Sequence, residues 1–174
     1  MRQKKIISGF DVSKLTRGAM LASVIFVMTW LPKIPYPLGY VHLGDGAVFL
    51  SAALLPSPWA VIVAAVGSGI ADLASGYPMW ILPTAVIKAA MTLAFTSKEN
   101  KLLSTRNYGA AAIGIIINTV GYYLFGSVIY GNFSVCLPEI PANLIQAAVG
   151  AVLFVAVGMF LDSNAGICKI LRGR

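Results

Sequence analysis

The chain has 174 residues, of which 58% are hydrophobic and only 11% charged, with a formal net charge of +7 and a mean hydropathy of +0.82. A soluble domain carries about a quarter charged residues; this chain cannot cover a globule with polar groups, and its surplus apolar surface needs lipid. The length suits one membrane-embedded domain over residues 1–174, and basic residues scattered over tails and loops argue against nucleic-acid binding.

Pro, Gly and charged clusters divide the apolar sequence into six predicted spans. The first, Leu15–Leu31, follows a basic "MRQKK". It resembles a signal peptide, but no small-x-small cleavage site follows and five more spans do, so it is expected to be retained. Gly18 and Ala22 are four residues apart, as are Ala19 and Ser23. Small residues at that spacing let another helix come close, either within the bundle or from a partner. "PKIPYPLGY" is too proline-rich for helix and reads as a stiff flap containing Tyr36 and Tyr40.

Span two, Leu43–Leu55, is shorter than the roughly 20 residues that cross a bilayer. Either its helix begins in the upstream loop or its outer end lines a polar cavity. Asp45 near its start is explained equally by the helix dipole and by ligand contact; His42 is a loop residue or a ligand contact. Span three, Trp59–Ala74, carries Asp72 near its end. Span four, Met79–Phe95, begins near Trp80 and holds Lys88 about 12 Å deeper. Span five, Tyr108–Ile129, has Asn118 near its middle and Tyr122 one turn on. Span six, Pro141–Leu161, has Asn143 and Gln146 in its first turns.

Of the 13 basic residues, all but Lys33 and Lys88 fall before span one or in its first turn, between spans four and five, or after span six. The positive-inside rule then puts both termini in the cytoplasm. The predicted fold is all-α and integral to the membrane, a compact six-transmembrane-helix bundle. With that orientation the polar residues collect in the outer half and the inner half is nearly all apolar. A charge at bilayer depth costs about 3 kcal/mol or more unless paired or wet. Asp45, Asp72 and Lys88 should therefore face the bundle interior. They form either a structural ion pair, Asp72 with Lys88, or part of a small-molecule site open to the outside. The amides and tyrosines at the same depth exceed what an ion pair requires and favour the site. Cys136 and Cys168 map to opposite sides and should not meet; with one histidine, a structural zinc site is not expected.

The sequence lacks G-x-x-x-x-G-K-[ST], H-E-x-x-H and G-x-S-x-G, so it offers no ATP-binding loop and no hydrolase signature. A binder without a motor remains. Its alternatives are a stand-alone carrier or channel, which would need polar groups through both halves, and a membrane-embedded enzyme, which would need a catalytic cluster.

The stretches "RGAMLAS", "KIPYPLGYVHLGD" and "GSGIADLASGYPMWILPTAVIKAAM", with the basic tail, resemble the substrate-binding S component of energy-coupling factor (ECF) vitamin transporters. They look like the branch that takes up pantothenate, vitamin B6 forms or hydroxymethylpyrimidine. The resemblance implies a prokaryotic plasma-membrane protein that captures a vitamin at the outer face under a closing loop. It implies no catalytic residues and no cofactor. The loaded subunit would join a transmembrane coupling subunit and two ATPases, docking through Gly18, Ala19, Ala22 and Ser23. Together, residues and resemblance nominate Tyr40, His42, Asp45, Asp72, Trp80, Lys88, Asn118, Tyr122, Asn143 and Gln146 for the ligand.

Overall fold

A computed structural model describes residues 12–36 and 38–173. Arg2, Lys4, Lys5 and Arg174, used above for topology, lie outside them, as does Pro37 of the flap. Helix α1 runs Val12–Trp30. Strands β1 (Ile34–Tyr36) and β2 (Gly39–Val41) follow as an antiparallel hairpin, pairing Ile34 with Val41 and Tyr36 with Gly39. Then come α2 (Gly44–Leu54) and α3 (Ser57–Ala74). A 3-10 turn at Pro78–Trp80 leads into α4 (Ile81–Thr92). Helices α5 (Thr105–Tyr130), α6 (Glu139–Ser163) and α7 (Ala165–Arg172) complete the chain.

The predicted spans map in order onto α1–α6, with two differences. Only α1, α3, α5 and α6 are long and apolar enough to cross a membrane by themselves. Helices α2 and α4 have 11 and 12 residues, which is about 16–18 Å of rise against a hydrocarbon core of about 30 Å. Helix α2 starts directly after the hairpin, so the reading in which it begins in the upstream loop does not hold. It needs no lipid contact, because every residue except Leu50 is buried among α1, α3, α4 and α6. The flap is a hairpin rather than irregular loop. Its strands are too short for alternation to be visible in sequence, and Pro35 is tolerated because two strands leave each an edge.

Local chemistry sets the ends. Ser104 caps α5 by accepting from the Asn107 N–H (3.3 Å), and Gly131 closes it at φ +65° in the left-handed region. At that capped end of α5, the 93–104 connection is tied down by side chains: Asp162 accepts from the N–H groups of Leu102 (2.7 Å) and Leu103 (3.0 Å), and Asn107 donates to the Thr96 and Leu102 carbonyls. Helix α7, read from sequence only as a basic tail, is amphipathic; Arg172 reaches the carbonyls of Glu99 and Asn100.

Burial is inverted relative to a soluble protein. Along α5 the buried face is Ala110, Ala111, Gly114, Asn118 and Ser127, while Ile113, Ile116, Val120, Leu124 and Val128 are exposed. Small and polar residues pack helix on helix and large apolar ones face outward, the arrangement lipid requires. A tight seam joins α2 to α6. A Cβ on Gly150 would fall 2.7 Å from Asp45 Cβ and 2.9 Å from the Gly46 backbone nitrogen. Neither neighbour is a flexible side-chain end, so Gly150→Ala should cost about 1–3 kcal/mol through overpacking and lower the thermal midpoint in detergent. Gly109→Ala, whose Cβ would meet nothing within 4 Å, should cause no such loss.

Candidate functional site

Beneath the hairpin lies a small, partly open cavity. The hairpin roofs it with Tyr36, Leu38, Gly39 and Tyr40, and His42 follows; Asp72 comes from α3, Tyr77 and Trp80 from the turn, Thr84 from α4, Tyr122 from α5, and Glu139, Asn143 and Gln146 from α6. Five aromatic rings give it flat apolar walls. Trp80 and Tyr122 lie 5.5 Å apart by centroid, Tyr40 and Tyr77 5.3 Å.

The roof is held by polar bonds to three helices. The Tyr40 hydroxyl donates to Asp72 Oδ1 (2.7 Å), the His42 N–H to Gln146 Oε1 (3.1 Å), and the Tyr130 hydroxyl to the Leu38 carbonyl (3.3 Å). Lys33 donates to Ser75 Oγ (3.0 Å) and stands over the Tyr40 ring. Burial and the adjacent Glu139 carboxylate hold the Tyr36 phenol well above its usual pKa; burial and Asp72 do the same for Tyr40. Both phenols therefore stay protonated as donors.

Below the cavity is a second layer. Lys88 is wholly buried; its Nζ donates to Asp45 Oδ1 in a short ion pair and to Asn118 Oδ1 (2.6 Å). Asn118 donates to the Asn143 carbonyl (3.2 Å), and Gln146 Nε2 donates to Asp45 Oδ2 (3.0 Å). The Lys88 ammonium also lies 5.0 Å from the Tyr122 ring centroid, under the cavity floor. Gln146 thus spans both layers, one end on the ion pair and the other on the hairpin.

The nominated residues separate accordingly. Tyr40, His42, Asp72, Trp80, Tyr122, Asn143 and Gln146 line the cavity; Asp45, Lys88 and Asn118 form the network beneath it. The alternative of an ion pair between Asp72 and Lys88 does not hold: Lys88 pairs with Asp45. Sequence spacing fixes depth along a helix, not which of two acids at similar depth faces the lysine. Asp72 keeps Tyr40 as its partner on one oxygen, while its Oδ2 has none among the described residues.

Sequence reasoning passed over Glu139, which is 1% exposed and lines the cavity. The signal was present: Glu139, Asn143 and Gln146 are spaced i, i+4, i+7 and share one helix face. The small-residue stripe of α1 divides. Gly18 is buried against Trp59 and Val63 of α3, and Ala22 is half-buried, its carbonyl 2.7 Å from where a Gly67 Cβ would be; Ala19 and Ser23 are exposed.

Two outcomes follow. Lys88→Met leaves the Asp45 carboxylate buried without its cation, and removing one partner of such a pair costs about 3–5 kcal/mol. Its thermal midpoint in detergent should fall sharply, and Asp45→Asn added to Lys88→Met should recover most of the loss. His42 Nδ1 accepts from the Gly44 N–H (3.0 Å), which requires the neutral ring; burial lowers its pKa from 6.5 to about 4, Lys88 adding and Asp45 opposing. Between those values the unfolded chain binds the extra proton, so stability falls as pH drops through the window, by about 2 kcal/mol from pH 7 to pH 5. His42→Asn, which can accept the same N–H bond, should flatten that slope in pH-dependent melting.

A family model described as the ECF-type riboflavin transporter, S component, matches residues 9–162. A solved structure described as "Structure and mechanism of the S component of a bacterial ECF transporter" matches with a TM-score of 0.67 at 20% identity, covering 90% of this chain and 99% of that one. No curated protein matches in sequence. The structural likeness carries the fold, and the family match extends over most of the chain. The chain belongs to the family of ECF-type riboflavin transporter S components, membrane-embedded substrate-binding subunits.

Proposed function

We propose that this S component captures a small, flat vitamin or vitamin precursor in the hairpin-roofed cavity from the outer face of the membrane and delivers it to the cytoplasm. The observation that carries the reading is the cavity itself: aromatic walls, buried polar atoms and a roof pinned by hydrogen bonds to α3, α5 and α6. Such a concave, largely apolar site with a few placed polar groups suits a small ligand. The vitamin B6 and hydroxymethylpyrimidine types, suggested by the sequence motifs, are single flat rings that match these walls. Riboflavin, named by the family model, is the second reading. Asp45, Lys88 and Asn118 serve by holding α2, α4 and α5 in register under the ligand.

Movement requires energy from partners. Beyond the ion pair the core closes with Phe49, Phe95 and Phe154, whose ring centroids lie 5.5–6.3 Å apart. These rings set an apolar layer directly behind the ion pair, which disfavours a stand-alone carrier or channel. The partners are a transmembrane coupling subunit and two ATPases, and the chain is oriented with six helices in the bundle and both termini cytoplasmic. Ala19 and Ser23, exposed on α1, are the residues of the small stripe left to meet the coupling subunit, with Gly18 and Ala22 keeping α1 against α3.

Uptake of labelled vitamin by cells carrying this chain should require the ATPases; uptake that survives their loss would favour the stand-alone carrier. Asp72→Asn should weaken ligand binding at least tenfold in calorimetric titration while the protein still inserts.

A further inference from the structure

Three buried atoms of the cavity have no hydrogen-bond partner among the described residues: Asp72 Oδ2, Glu139 Oε1 and Trp80 Nε1. Their side chains are 5%, 1% and 5% exposed, so bulk water does not satisfy them freely. Leaving such a group unpaired is unfavourable by about 1–3 kcal/mol, more for a charged one. Each carboxyl group is already bonded through its other oxygen. Asp72 Oδ1 accepts from Tyr40, and Glu139 Oε2 accepts from Asn143 Nδ2 (3.1 Å). Both acids belong to the lining of the same cavity, one from α3 and the other from α6. Among the described residues no lysine or arginine lines it: Lys88 lies below, committed to Asp45 and Asn118, and Lys33 bonds Ser75.

We infer that the cavity selects a ring ligand that presents hydrogen-bond donors to both Asp72 Oδ2 and Glu139 Oε1, and an acceptor to Trp80 Nε1, and that it rejects ligands bearing a carboxylate. Glu139 is then a ligand-recognising residue. This rests on the capture reading above and narrows its substrate class to neutral or cationic heteroaromatics carrying amino or hydroxyl groups. A ring nitrogen supplies the acceptor. A carboxylate brought beside two acids with no free cation would be both unpaired and repelled.

The test uses the full chain in detergent and a panel of four compounds, with thermal shift and calorimetric titration as readouts. The panel is 4-amino-5-hydroxymethyl-2-methylpyrimidine, pyridoxamine, riboflavin and pantothenate. Binding of an aminopyrimidine or pyridoxamine, with pantothenate at least a hundredfold weaker, supports the inference. So does a loss of tenfold or more for that ligand in Glu139→Gln, measured on protein that elutes and melts like the wild type. Pantothenate binding as tightly as the donor-bearing rings overturns it and leaves the capture reading standing. Unchanged affinity in a well-folded Glu139→Gln variant overturns the role of Glu139. If no panel member shifts the melting temperature and nothing small co-purifies, the capture reading falls with it. Because the panel is run on the unmodified chain, a variant that fails to fold leaves the selectivity test intact.

Discussion

Lys88 and Asp45 meet where neither side chain touches solvent, in a protein whose outer surface is built for lipid. A lone charge in that position would be expelled or neutralised. Paired, and with Asn118 and Gln146 completing the donors and acceptors, the two form a fixed point between α2 and α4 to which α5 and α6 are bonded in turn. The cavity floor rests on this point through the Tyr122 ring, and the roof is joined to it through Gln146 and the His42 backbone. Helix α2 carries Asp45 in its first turn, next to the hairpin, and all of its residues but Leu50 are buried. The Gly46–Gly150 approach serves this network, since Gln146 can reach Asp45 only if α6 lies close against α2.

The site has two layers with separate chemistry. The lower one is closed: an ion pair and two amides that bond one another. The upper one is open-valenced: Asp72, Glu139 and Trp80 belong to its aromatic lining, and each has a buried polar atom without a partner among the described residues. Keeping the layers apart commits the only lysine of the two to Asp45 and leaves it out of the cavity lining.

Much of this was legible in the sequence, for physical reasons. Apolar runs cut by proline and charge located α1 and α3–α6 to within a few residues, because a membrane helix must be continuous and apolar. Depth was legible too: counting at helical rise put Asp72, Asn143, Gln146 and Tyr122 at one level, where the structure gathers them. Azimuth was not. Which acid Lys88 meets depends on helix rotation and packing distance, which the spacing of Asp45 and Asp72 does not encode; the pairing weighed from sequence was with Asp72, and the structure has Asp45. Glu139 was missed because the proline-rich "CLPEIPAN" reads as loop, although its spacing to Asn143 matched the argument applied elsewhere. The hairpin escaped because three-residue strands carry no period. The stripe on α1 was legible as close packing, but its division between α3 and an open face needed coordinates.

The hairpin itself has a further consequence. Two three-residue strands have too few ladder bonds to persist alone in water. This one exists because Asp72, Gln146 and Tyr130 hold its side chains and backbone from outside. Releasing those holds does not swing a rigid door; it melts the door. Admission of a ligand is then a local unfolding and refolding step, with its own barrier and temperature dependence, and amide exchange along residues 38–42 is its natural clock.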